Sequence, residues 1–200
     1  MPAFDESLFH WIYGLSHLSV LADNIAVLIA RDMPYLLVIG FFVLLTDVRG
    51  ARRRTFMFAQ AAIITLVSRG IVVETIRFFY DRPRPFSVFG FDPLMPQSPL
   101  EPSFPSGHAA FFFGLAFAVW QMNRTWGIWY LVAAFLNGFA RIFVGVHWPL
   151  DVAIGAAIGA LSAFIVIRFA SEHYPHPPEV IVGGQVLEIP DTSGENETLT

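Results

Sequence analysis

Apolar blocks long enough to cross a bilayer recur along this chain with only short polar stretches between them. Backbone placed in hydrocarbon must satisfy its own hydrogen bonds, and a helix does so within one segment. The blocks therefore predict an all-α fold: a polytopic membrane helix bundle of about five to six transmembrane helices. Composition agrees, with 55% hydrophobic and 14% charged residues, whereas soluble domains carry about 25% charge. Residues 1–173 read as one integral membrane domain, and residues 174–200 as a polar, disordered cytoplasmic tail.

Several function classes drop out early. The chain has no cysteine, which excludes disulfide frameworks, thiolate metal sites and a cysteine nucleophile. A formal charge of -4 argues against nucleic acid as a partner. All 12 basic residues are arginine, and the first ten residues lack the basic region and cleavage site of a signal peptide.

The run Asp47-Val48-Arg49-Gly50-Ala51-Arg52-Arg53-Arg54 is the strongest positive stretch, and the positive-inside rule makes it a cytoplasmic loop. Before it lie a short amphipathic helix, Leu8 to Leu18, and a first crossing, Val20 to Thr46, interrupted by Asp23, Asn24, Arg31 and Asp32, with Pro34 opening a new helical turn. After it, Thr55 to Tyr80 runs outward and a proline-rich external loop follows. Gly107 to Met122 returns, Asn123 to Thr125 turns, Trp126 to Val146 goes out and Leu150 to Ala170 comes back. Trp120, Trp126 and Trp129 at the inner turn and Trp148 at the outer one suit interfacial aromatic belts.

This topology brings three polar clusters to the external face. In the first, Arg77 ends a spanning helix and Pro83 throws Arg84 into the loop, so two guanidiniums approach one anion. Arg82 reads as a headgroup or Asp81 contact. In the second, Pro105-Ser106-Gly107-His108, a helix start offers free amides, a hydroxyl and a titratable donor to an anion. In the third, Arg141-x5-His147-x3-Asp151, the carboxylate is placed to hold one imidazole nitrogen protonated, which leaves the other as base or nucleophile. Arginines outside run against the positive-inside bias, and a bound phosphate group accounts for the whole set. Taken singly, Arg77 would read as a snorkelling helix end, the second cluster as a helix cap and the third as a structural His-Asp pair.

Together these segments, in this order over residues 77–151, resemble the three motifs of the type-2 phosphatidic acid phosphatase superfamily, in its membrane lipid phosphatase branch. The resemblance implies that His147 attacks phosphorus to form a phosphohistidine, that Asp151 orients it and that His108 protonates the leaving oxygen. It implies that Arg77, Arg84, Ser106, Gly107 and Arg141 hold the phosphoryl oxygens, with no metal and no cofactor. Two positions depart from the pattern: Arg77 stands where lysine is usual, and Ala140 where serine is usual. Size and opening segment are similar to bacterial undecaprenyl-diphosphate phosphatases of the bacitracin-resistance type, which implies a site on the external face of a bacterial plasma membrane and a role in recycling the cell-wall lipid carrier. Phosphatidylglycerophosphate or phosphatidate is the alternative lipid substrate.

Three further expectations follow from the residues. The external loop with Phe86, Val88, Phe89, Phe91, Leu94 and Met95 either guides a lipid tail or packs as a lid. Arg69, about 12 Å deeper than Arg77, needs an internal partner, and Glu74 is one candidate. A lipid or ion transporter is the competing class, but transporter sites lie near the midplane, whereas these clusters gather at one surface.

Overall fold

The computed structural model describes residues 3–173, 179–182 and 185–188. Helix α1 is Ala3–Tyr13, α2 Val20–Arg31, α3 Met33–Thr46, α4 Ala51–Phe79, α5 Pro85–Phe89, α6 Gly107–Met122, α7 Arg124–Phe143 and α8 Pro149–His173. Strands β1 (Glu179–Val182) and β2 (Gln185–Glu188) pair antiparallel, Glu179 opposite Glu188. The rest of the tail expected over 174–200 lies outside the described residues.

Among the described residues three helices, α4, α7 and α8, are long and apolar enough to cross a membrane. The pair α2 and α3, bent by 46° at its break, makes a fourth when counted as one span, and the shorter apolar α6 runs between the others. The bend falls where the sequence places it. Pro34 has no N–H to give the Ala30 carbonyl, so one rung of the helical ladder is missing. Side chains of α7 take over: Asn137 Nδ2 donates to the Ile29 carbonyl at 2.8 Å and to Ala30 at 3.4 Å, and Arg141 Nη1 donates to Ala30 at 3.5 Å.

Helix α6 is the hub, packed against α4, α7 and α8. Its crossing with α8 depends on small residues: a Cβ at Gly155 would strike the Ser106 carbonyl, and one at Gly159 the Ala110 carbonyl. Gly155 and Gly159 are four apart, so one face of α8 lets two backbones touch, the membrane solution for helix association. Around that contact Ile64, Phe112, Leu115, Val119 and Tyr130 form one buried core. A second core, with Phe9, Ile12, Val144, Val146 and Trp148, lies under the functional loops. Leu36, Phe42, Ile63, Phe135 and Phe164 remain exposed, as lipid-facing side chains would.

Helix ends sharpen two expected boundaries. Arg52, Arg53 and Arg54 lie in the first turn of α4 rather than in a loop, with Arg54 donating to the Thr46 and Val48 carbonyls. The inner turn shrinks to Asn123, whose side chain caps α7 by accepting from the Trp126 amide at 3.1 Å. Asp47, Arg49, Arg53, Met122 and Asn123 line one cavity of about 310 Å³, so both turns share a face. The loops 80–106 and 144–148 occupy the opposite end. Trp126 and Trp129 are exposed, as a belt requires, but Trp148 is fully buried beneath α1 and is a core residue instead.

Candidate active site

His147 stands on the tight connection between α7 and α8 and is buried. Its Nδ1 faces Asp151 Oδ2 at 3.4 Å, one helical turn on, because Pro149 starts α8 and sets both residues on the same side of the joint. Asp151 is held from all sides. Its Oδ2 accepts from the Trp148 amide at 2.9 Å and from the Ser103 hydroxyl, and its Oδ1 accepts from Arg82 Nη1 at 2.6 Å. Ser103 Oγ also lies 3.4 Å from His147 Nδ1. With that nitrogen facing a carboxylate, the ring's proton belongs on Nδ1 and the lone pair on Nε2.

Arg82 is the largest departure from expectation. Rather than meeting Asp81 or a headgroup, it is buried, bridges Asp151 and Asp5 (Nη2 to Oδ2, 2.5 Å), and lies 5.1 Å from the centre of the Trp148 ring. Asp5 Oδ1 also accepts from the Leu150 amide at 2.8 Å. A buried arginine between two buried carboxylates shares its charge with both, which is how such groups survive desolvation. Asp5, Arg82 and Ser103 were all missed as site components. The sequence signal was present for Arg82 alone, in Arg82-Pro83-Arg84-Pro85, where the proline after it directs the chain back over the bundle.

Three of the phosphate-binding candidates, Arg141, Arg84 and Arg77, lie near enough to His147 to act on its charge. Burial pushes its imidazole well below the usual histidine range, and the positive charges of Arg141, Arg84 and Arg77 push it the same way. Arg84 is buried and donates to the carbonyls of Glu101 (3.0 Å), Pro102 (3.4 Å) and Val146 (2.9 Å), so it also ties the loops together. Burial and the neighbouring Arg77 lower its pKa to about 10, so it stays cationic at neutral pH. Arg77 Nη2 donates to the Pro105 carbonyl at 3.0 Å, and Ser106 N donates to the Asp151 carbonyl at 2.9 Å, which joins the three clusters through backbone. Ser106 Oγ caps α6 by accepting from Ala109 N at 3.5 Å. His108 is half-buried and borders a cavity of about 280 Å³ between α3 and α6.

Two of these arginines carry unmet demand. The Nε atoms of Arg77 and Arg141 are buried with no hydrogen-bond partner among the described residues. Buried cationic donors left unpaired cost more than neutral ones, and an oxyanion between them would satisfy both. No group of three or more His, Cys, Asp or Glu side chains among the described residues is placed to hold a metal ion.

The external loop is seated on α1. Tyr13 stacks on Phe91 with centroids 4.4 Å apart, Phe9 lies 6.1 Å from Phe89, and Leu94 N donates to the Val144 carbonyl at 3.1 Å. Phe86 and Met95 are buried, while Val88 and Phe89 stay exposed. Arg69 pairs with Glu74, as expected.

A helical membrane bundle whose loops collect a His-Asp pair and three buried arginines at one end defines a class of protein built to handle an anionic group at a membrane surface. This chain belongs to the PAP2 superfamily, whose sequence pattern matches residues 58–175. It is 30% identical to the bacitracin transport permease protein BcrC of Bacillus licheniformis over 79% of this chain and 76% of that protein. It is 29% identical to the undecaprenyl-diphosphatase BcrC of Bacillus subtilis over 82% of each. The crystal structure of Aquifex aeolicus LpxE superimposes with a TM-score of 0.64 at 26% identity, covering 83% of this chain and 96% of that one.

Proposed function

We propose that this protein is a lipid phosphatase that converts undecaprenyl diphosphate to undecaprenyl phosphate without a metal, through a phosphohistidine. The carrying observation is the pair of unsatisfied arginine Nε atoms beside a buried, neutral histidine whose Nδ1 is held by a carboxylate. His147 Nε2 attacks the terminal phosphorus, and Arg77, Arg84, Arg141 and the start of α6 at Ser106 and Gly107 take the charge on its oxygens. The bond to the bridging oxygen breaks as His108 gives that oxygen a proton. Water, deprotonated by His108, then attacks the phosphohistidine and releases phosphate. Asp151 holds the Nδ1 proton while positive charge develops on the ring, and the 3.4 Å separation tightens as it does.

The relative named as a diphosphatase supports the isoprenoid diphosphate, and the position of the clusters at one end of the bundle favours hydrolysis over the transport in the other relative's name. Arginines 49 and 52–54 at the opposite end support a site on the external face of a bacterial plasma membrane. Residues 1–173 act as the catalytic unit. The test is phosphate release from undecaprenyl diphosphate, phosphatidylglycerophosphate and phosphatidate in detergent with excess EDTA, for the wild type and His147→Ala. Preference for the isoprenoid and no turnover by the variant are expected. Preference for a glycerolipid would move the substrate, and activity that appears only with added divalent metal would overturn the mechanism.

A further inference from the structure

Arg69 and Arg31 are left over by this mechanism, yet both line the cavity of about 280 Å³ that His108 borders. They arrive there by separate irregularities in the fold. Arg69 sits in a π-helical segment, Leu66–Val73, inside α4. Such wide turns re-aim side chains and are common at functional sites. Here the guanidinium packs on the start of α6: a Cβ on Gly107 would lie 2.7 Å from Arg69 Cδ and 3.0 Å from its Cζ. Arg31 ends α2 at the break before Asp32, the same break whose carbonyls Asn137 and Arg141 bind. Arg31 is thus one residue from a carbonyl held by Arg141.

Both cations are held by carboxylates that do not exhaust them. Asp32 takes Nε and Nη2 of Arg31 at 2.9 and 3.0 Å, and Glu74 takes Nη1 of Arg69. The same Glu74 oxygen lies 3.7 Å from Arg77 Nη1, so Arg69 is electrostatically continuous with the nucleophile's side of the site. Beyond the two arginines the cavity turns apolar, with Tyr35, Val38, Phe111 and Phe112. The cavity thus gathers two cations, a histidine and an apolar wall from α3 and α6.

We propose that Arg31 and Arg69 form a second anion subsite, which binds the inner phosphate of a lipid diphosphate while His147 attacks the outer one, with the lipid chain leaving between α3 and α6. This rests on the phosphatase reading and gives its substrate preference a physical basis. When the bond from the outer phosphorus to the bridging oxygen breaks, negative charge passes to that oxygen and the inner phosphate. His108 supplies a proton to the oxygen, and the two guanidiniums meet the charge on the phosphate that departs with the lipid. A phosphate monoester on a glycerol carbon has no second phosphate there and draws nothing from either arginine.

The experiment compares farnesyl diphosphate and phosphatidate as substrates for the intact protein in detergent, as wild type, Arg69→Gln, Arg69→Lys and Arg31→Gln. Arg31 is more than half exposed, so its loss leaves no buried partner and tests the subsite where Arg69→Gln fails to fold. Expected is a fall in kcat/KM of about 30-fold or more with the diphosphate and less than about 3-fold with phosphatidate, partly rescued by lysine. Equal losses on both substrates, or none on the diphosphate, overturn the subsite. Binding separates this from failure of the phosphatase reading. Methylenediphosphonate should protect the wild type against heat more than inorganic phosphate does, and Arg69→Gln should erase the difference. An advantage that the variant erases upholds the subsite even if no substrate turns over. No advantage overturns it even if hydrolysis is confirmed.

Discussion

Replacing Asp5 by asparagine isolates the charge that α1 delivers to the site. Asp5 is fully buried and does two jobs: Oδ2 meets Arg82 Nη2 at 2.5 Å, and Oδ1 accepts from the Leu150 amide at 2.8 Å. Removing one partner of a buried ion pair costs about 3–5 kcal/mol when the survivor is stranded. Arg82 keeps Asp151 at 2.6 Å, so it is not stranded, and the cost of Asp5→Asn should be about 2–3 kcal/mol. The asparagine oxygen still serves the Leu150 amide. Asp5→Ala leaves that amide empty as well, which adds about 1–3 kcal/mol. Unfolding in mixed micelles of rising SDS fraction, followed by tryptophan fluorescence, reads both differences. Turnover should fall too, because an Arg82 that leans on Asp151 alone draws that carboxylate away from His147. Asp5→Asn within about 0.5 kcal/mol of wild type would refute the idea that this pair is desolvated. Equal costs for asparagine and alanine would refute the role assigned to the Leu150 amide.

Ser103→Ala should lower kcat by about 10-fold with KM little changed, measured by phosphate release, because it removes a donor that orients Asp151 without touching substrate. Gly155→Leu should destabilise the bundle by at least about 3 kcal/mol in the same SDS titration, since the new side chain meets the Ser106 backbone and nothing flexible can yield. Stability should also fall with pH in a defined window. Above the ordinary histidine value of 6.5 neither folded nor unfolded His147 is charged; below it the unfolded chain binds a proton that the buried ring refuses. Unfolding free energy should drop by up to about 1.4 kcal/mol per pH unit there, and His147→Asn should flatten the slope by that amount.

Periodicity and hydropathy were enough to place the spans, because burying backbone in lipid leaves few options: an interrupted first crossing, the helix starts at Pro34 and Pro149 and the one-ended gathering of polar clusters were all legible. Arg69 and its Glu74 partner were legible as a pair, since a charge in a span demands one. What escaped was everything decided by side chains far apart in the chain. Asp5 looked like an ordinary acidic first turn of a helix, and nothing local tells that it meets Arg82, 77 positions on. Trp148 obeyed the statistics of interfacial tryptophans, yet it was claimed by the core beneath α1. Ser103 belongs to no periodic pattern, and the π-helical turn around Arg69 leaves no mark in composition.

The hydrogen bond from Leu150 to Asp5 spans 145 positions, so α1 is made well before it can be locked. At about 5–20 residues per second, synthesis leaves α1 waiting roughly 7–29 s before the start of α8 exists to receive it. Until then Arg82 lacks Asp151, and His147 has no orienting partner. The site is thus inert until α8 enters the membrane, and only then do Asp5 and Leu150 meet.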